Sequence, residues 1–174
     1  IKFIHADYLT GSLWKFDRQP EWTDMEDQLR NWLYYYQLSG DHIVEQAIHS
    51  VDKIMWAKQD APPETITAIG GRQVRTEPRF GNVYDHFSVH YQWADGTEAL
   101  LQCRQIPGCT NENKDRVVGS KGTAHIDGWA NRMVIDGDDP WRWRGEAKGM
   151  YQVEHDDLFA SIRAGGGRLN QGVS

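Results

Sequence analysis

Glu45 and His49 stand four residues apart in the stretch Gly40 to Trp56, Gly-Asp-His-Ile-Val-Glu-Gln-Ala-Ile-His-Ser-Val-Asp-Lys-Ile-Met-Trp. On a helix that spacing brings the two side chains onto one face. A carboxylate beside an imidazole fixes the ring and favours its protonated form, which is what a general base needs when it takes a proton from an alcohol. At about 100° per residue, Asp41, His42, Asp52 and Trp56 share that face. Ile43, Val44, Ala47, Val51, Ile54 and Met55 gather opposite and give the helix something to pack with. The alternative for the same pattern is a solvated face carrying one structural ion pair, although such faces usually hold more lysine.

Asp52 extends the polar stripe by a turn, where it would orient His49 or a substrate hydroxyl, or simply face water. His42, Glu45 and His49 also read as a two-histidine, one-carboxylate set. They lack the His-Glu-x-x-His order of zinc proteases, so no metal is expected. His86 and His90 alternate with apolar residues and belong on a wet or interfacial face. Neither Gly70-Gly71 nor Gly165 to Gly167 forms the Gly-x-Gly-x-x-Gly fingerprint of a dinucleotide site, and there is no Gly-x-Ser-x-Gly elbow for a serine nucleophile. This chain by itself should contribute no cofactor-binding residue.

The elements around this stripe follow from local signals. Residues 1 to 18 suggest one or two strands about a turn at Thr10-Gly11. Thr23, with Glu26 three positions on, is a helix start, and an aromatic run from Trp32 to Tyr36 follows it. The amphipathic helix is expected over Asp41 to Lys58, with Pro62-Pro63 closing it. Period two then takes over. Strands are expected at Glu64 to Ile69, Val83 to Trp93, Glu98 to Ile106, Asp115 to Val118, Thr123 to Ile126, Asn131 to Ile135 and Trp141 to Trp143. The Asp95-Gly96 turn joins the second and third, and short links favour a meander of antiparallel pairs. Tyr151 to Arg163 reads as a last helix ended by glycines. The sum is a single α+β domain over residues 1–174, an open, largely antiparallel sheet with helices packed on one face.

Composition narrows the partners. With 39% hydrophobic and 25% charged residues, the 174-residue chain suits one well-buried soluble domain. A net charge of −6 without a basic cluster argues against nucleic acid and anionic membranes. Two cysteines, Cys103 and Cys109, are too few for a disulfide framework. The 8 tryptophans offer flat surfaces for a core, a sugar cleft or a subunit contact. They favour covering the free sheet face with a second copy, hence a homo-oligomer. Neither a membrane span nor a signal sequence is evident. Because the chain begins with Ile, the reading is of an excised piece, cytoplasmic by default with periplasmic export open.

Several of these motifs occur together in a known order. Ser39-Gly40, Glu45, His49, Asp52 and Trp56, then Gly70-Gly71-Arg72, Gly81 to His86, Asp95-Gly96 and Val118 to Gly122, resemble the C-terminal domain of Gfo/Idh/MocA-type oxidoreductases. The resemblance covers essentially the whole chain. It implies a fold like the C-terminal domain of glyceraldehyde-3-phosphate dehydrogenase, and a missing N-terminal Rossmann domain that binds most of NAD or NADP. It also implies a sugar or polyol substrate. The family's Asp-x-x-x-His would map onto Glu45 and His49 as the catalytic pair, with Glu a departure that reaches one methylene further. The family's Glu-Lys-Pro lysine has no counterpart here, and residues 164 to 174 resemble a loop before a further helix. Substrate contacts are expected from Asp41, Asp52, Trp32 and Tyr35. The reading is thus the substrate-binding and oligomerisation domain of an NAD(P)-dependent sugar or polyol dehydrogenase, inactive as a fragment. The alternatives are an NAD-dependent glycosidase of the same family and a non-catalytic assembly module.

Overall fold

The computed structural model describes residues 1–145 and 149–166. Among these, eight strands form one sheet: β1 (Phe3–Thr10), β2 (Thr65–Gly71), β3 (His86–Gln92), β4 (Glu98–Gln105), β5 (Glu112–Val118), β6 (Gly122–Asp127), β7 (Arg132–Gly137) and β8 (Trp141–Arg142). The helices are α1 (Asp24–Arg30), α2 (Tyr36–Ser39), α3 (His42–Glu45), α4 (Ile48–Ala57) and α5 (Met150–Arg163). The expected α+β architecture is therefore present.

Strand order across the sheet is β2-β3-β4-β1-β5-β6-β7-β8. Every neighbouring pair is antiparallel except β1 and β4, which run parallel from Phe3 opposite Glu98 to Thr10 opposite Gln105. This corrects the simple meander. Instead of pairing with β4, β5 pairs with the other edge of β1, Phe3 facing Val118 and Leu9 facing Glu112. The link 106–111 must then span two strand spacings, roughly 10 Å, an easy reach for six residues at about 3.3 Å each. Ile106 N donates to Thr10 O at 3.1 Å as the link crosses the end of β1.

Alternation sorts the sheet into two faces. Ile4 and Ala6 of β1, Val89 and Tyr91 of β3, and Ala99 and Leu101 of β4 are buried together against Ile54 and Met55 of α4. Ala6 and Ala99 are small enough to let the helix settle close to the strands. Lys53 of α4 also bonds the buried Asp115 of β5, an ion pair that fixes the helix across β1. Residues of opposite parity, including His5, His86, His90, Arg116 and His125, lie on the uncovered face.

The helix expected over Asp41 to Lys58 is interrupted. Gln46 leaves the regular path with φ −119°, and Ala47 N donates back five residues to His42 O at 3.0 Å. The break frees Gln46 to accept from Gln105 Nε2 at 2.7 Å, while Ala47 is fully buried. α4 ends at Ala57, before the prolines, and Gln59 and Asp60 follow it in the left-handed region. Elsewhere the local signals hold. Thr23 Oγ1 accepts from Glu26 N at 3.1 Å at the start of α1, and Gly165 ends α5 at φ +65°. Of the one or two strands expected over residues 1 to 18, one forms, β1. Gly167, the last of the expected terminating glycines, lies outside the described residues.

A second, smaller cluster places Leu33, Tyr34 and Val83 together, with Leu13, Tyr35 and Phe80 packed against them. Gly81 (φ +57°) permits this contact, because a Cβ there would lie 2.1 Å from Tyr34 O. The loop between β2 and β3 is held by Asp85, which is fully buried. Its Oδ2 accepts from the backbone N–H groups of Gln73, Val74 and Arg75 at 2.7, 2.6 and 3.0 Å, and Oδ1 lies 2.7 Å from His86 Nδ1. Burial pushes this carboxyl up, but the three amides and His86 outweigh it and bring it down to about 2.

A depressed carboxyl stabilises the fold above its unfolded value and loses that contribution as pH falls through the folded one. Asp85→Asn should therefore lower the unfolding free energy at pH 7 by about 2 kcal/mol. In urea titrations the gap from the wild-type protein should close as pH drops from about 4 towards 2. A gap that is independent of pH would contradict the assignment.

Candidate functional site

The interruption between α3 and α4 decides where the chemistry-bearing side chains go. Glu45 is the last residue of α3, and His49 lies in the first turn of α4. Ile4, Ala6 and Tyr8 share one face of β1, so Tyr8 continues the helix-covered row to the point where α4 begins. Its ring lies 6.3 Å from that of the exposed His49, tilted by 34°. Trp129, in the turn between β6 and β7, meets Tyr8 edge-on at 6.3 Å. An accessible imidazole thus stands beside an aromatic wall.

Glu45 lies close enough for its charge to reach Tyr8. Burial raises its carboxyl above the usual range, with His42 pulling the other way. Its Oε2 is buried without a hydrogen-bond partner, as is His42 Nε2. Tyr8 is raised by burial, then by the charge of Glu45 and by Tyr151 of α5. Among the described residues no hydrogen bond or ion pair joins Glu45 to His49, because the helix break separates two residues that a continuous helix would stack. Asp52 is half-buried and raised by burial and by Asp60, with His49 and then Lys53 opposing. His49 therefore feels a carboxylate from its own helix.

The other expected residues are held elsewhere. Asp41 adopts φ +67° and caps α3, its Oδ1 accepting from His42 N at 2.7 Å and its Oδ2 from Tyr84 N at 2.8 Å. Both oxygens serve the backbone. Tyr35 donates its hydroxyl to Asp27 Oδ2 at 3.3 Å, and Trp32 packs on Trp14 with ring centres 6.4 Å apart. Neither touches His49. Tyr8, Trp129 and Tyr151 were not singled out from sequence. Only Tyr8 left a trace there, in the alternation Ile4, Ala6, Tyr8.

β1 runs into loop 11–23 rather than through a glycine-rich turn into a helix. The described residues contain no cluster of three or more His, Cys, Asp or Glu able to hold a metal ion. No described helix is long and apolar enough to cross a membrane.

Residues 10–125 match the family model described as the GFO/IDH/MocA C-terminal domain. No curated protein matches the chain. Among solved structures, an aldose-aldose oxidoreductase from Caulobacter crescentus complexed with glycerol is similar at 21% identity and TM-score 0.68, over 95% of this chain and 46% of that one. UDP-N-acetylglucosamine 3-dehydrogenase GnnA from Acidithiobacillus ferrooxidans aligns at 17% identity and TM-score 0.67, over 94% and 45%. The WlbA dehydrogenase from Bordetella pertussis, in complex with NADH and UDP-GlcNAcA, aligns at 18% identity and TM-score 0.65, over 94% and 44%. The chain spans about half the length of the structures it matches.

The raised carboxyl of Glu45 has a measurable sign. A group whose folded value lies above its unfolded one supports folding while protonated and loses that support as pH rises through the folded value. Glu45→Gln should accordingly raise the melting temperature at pH 7 to 8, with the gain fading as pH falls below the ordinary carboxylate range. A glutamine variant less stable at pH 8 than at pH 4, relative to wild type, would refute the burial argument.

Proposed function

This chain belongs to the GFO/IDH/MocA C-terminal domain family, and from that premise we propose that it is the substrate-binding and oligomerisation half of an NAD(P)-dependent sugar or polyol dehydrogenase. The observation that carries the reading is the accessible His49 imidazole against the Tyr8–Trp129 wall, with the Glu45 carboxylate half-buried nearby. A ring-shaped polyol has an apolar face for aromatic contact and hydroxyls for an acid or base. A nicotinamide held mainly by the other half of the protein would accept the hydride. This chain's share is the proton.

His49, neutral, takes the hydroxyl proton as the carbon–oxygen bond becomes a carbonyl, and returns it in the reverse direction. Its positive charge in that step is favoured by Asp52 along its own helix. Tyr8 keeps the ring from swinging away. Trp32 and Tyr35 would meet a substrate only if it extends towards α1, and Asp41 shapes the site through its cap on α3.

The uncovered sheet face is proposed to bind a second copy. It sets imidazoles beside carboxylates, with His5 near Asp7 at 3.4 Å, His90 near Glu98 at 3.4 Å and His125 near Asp136 at 3.6 Å. A mixed surface of this kind can complement itself across a two-fold axis. The edge residue Ile69 is 73% exposed on that face.

In the full-length enzyme, His49→Ala should lower kcat by about 10²- to 10⁴-fold with the fold intact. Unchanged turnover would favour the assembly-module alternative. Net NADH formation without hydrolysis of a glycoside would separate a dehydrogenase from the NAD-dependent glycosidase. Sedimentation of the full-length protein at micromolar concentration should give an oligomer, and a monomer there would overturn the interface proposal.

A further inference from the structure

The Leu33–Tyr34–Val83 cluster opens on one side into a cavity of about 290 Å³, walled in part by Leu13, Lys15, Tyr34, Arg75, Arg79 and Gln105. Arg75 is its unusual member. The residue is 4% exposed, yet among the described residues its guanidinium makes no hydrogen bond, and Nη1 is buried without a partner. A buried guanidinium normally spends its fork of donors on a carboxylate or on carbonyls, because an unpaired buried charge is costly. Here the position is imposed from behind. The Arg75 backbone N–H is held by Asp85, and its carbonyl accepts from Arg72 Nε at 2.7 Å. The guanidinium carbon lies over the Tyr34 ring, 5.1 Å from its centre. Asp85 and Asp41 attract the charge from a distance, but their oxygens are occupied by backbone amides and by the adjacent histidines.

The surroundings add to the same sign. Lys15 Nζ stands 5.8 Å from the centre of the same Tyr34 ring. Arg79 is exposed at the rim, where it pairs with Glu77 at 3.3 Å. Asp17 is the carboxylate on the wall itself, so the lining has an excess of positive charge. On another wall, Gln105 is 1% exposed with Oε1 buried and unpartnered, an acceptor that a hydroxyl would satisfy. The Gln105 amide donates to Gln46, between Glu45 and His49, so the cavity adjoins the helix interruption that positions the candidate base.

We propose that this cavity binds the phosphate or carboxylate group of an anionic sugar derivative, seated on Arg75 with Lys15 and Arg79 at its mouth and a neighbouring hydroxyl on Gln105. A planar guanidinium and a tetrahedral or planar oxyanion match as paired donors and acceptors. The sugar as carrier rests on the function proposed above, whereas the anion site rests on Arg75.

Calorimetric titration of the full-length protein with inorganic phosphate and, separately, with acetate tests this. Saturable binding of at least one is expected. Tighter phosphate binding points to a phosphorylated sugar and tighter acetate binding to a sugar acid, and either supports the site. Arg75→Gln should weaken the preferred anion by about tenfold or more, consistent with losing hydrogen bonds to a charged group. If circular dichroism shows Arg75→Gln to be unfolded, the Lys15→Ala/Arg79→Ala pair, which removes charge near the mouth without touching Arg75, decides instead and should weaken binding several-fold. Failure of both anions to bind, or wild-type affinity in the deciding folded variant, would overturn the proposal. His49→Ala should bind anion like wild type. If it also keeps full turnover, the catalytic reading fails while the anion site stands.

Discussion

The seating of α4 on β1 and β4 is the contact on which everything else depends. Ile54 and Met55 need a flat, closely approachable surface, and Ala6 and Ala99, on adjacent parallel strands, provide it. Lys53 then reaches over β1 to Asp115 and fixes the helix in rotation. That rotation turns His49 towards Tyr8 and away from the core. A shift of the helix by one residue, roughly 100°, would bury the imidazole or carry it clear of the aromatic wall.

The interruption before α4 follows from the same contact. Ala47 must enter the core, while Gln46 turns to Gln105 at the end of β4. An unbroken helix would have stacked Glu45 on His49. The break instead places the carboxylate in a half-buried niche with His42 and Tyr8, and among the described residues no hydrogen bond joins it to the imidazole. Rigidity here comes from backbone hydrogen bonds to Asp41 and Asp85, two carboxylates that anchor the segments on either side of the smaller cluster.

Sequence legibility followed the range of the forces involved. The period-two stretch Phe87, Val89 and Tyr91, the Thr23 cap and the Asp95-Gly96 turn are encoded within a few residues and appear, although the strand expected over Val83 to Trp93 is shorter, His86–Gln92. The order of motifs from Ser39 to Gly122 was enough to indicate the family. The insertion of β1 between β4 and β5 was hidden, because nothing local in Phe3 to Thr10 names partners about a hundred positions away. The helix break was hidden too, since Gln46 departs from the helix for a residue 59 positions later. No local pattern sets Arg75 apart in the sequence, because its burial follows from Asp85 drawing three consecutive amides inward.

The central place of β1 also bears on how the chain reaches this state. Thr10 and Arg104 meet across 94 positions, so during synthesis the strand emerges long before either neighbour exists, with both hydrogen-bonding edges bare. Chain entropy must be surrendered over that whole span before the first pairing is rewarded, which makes the step slow and leaves the early strand open to capture by other chains. Its alternation of Ile4, Ala6 and Tyr8 with His5 and Asp7 offers one protection, because polar side chains on alternate positions, one of them a carboxylate, discourage flat stacking of copies upon one another. The strand that organises the finished domain is thus one whose partners on both edges arrive about a hundred residues after it.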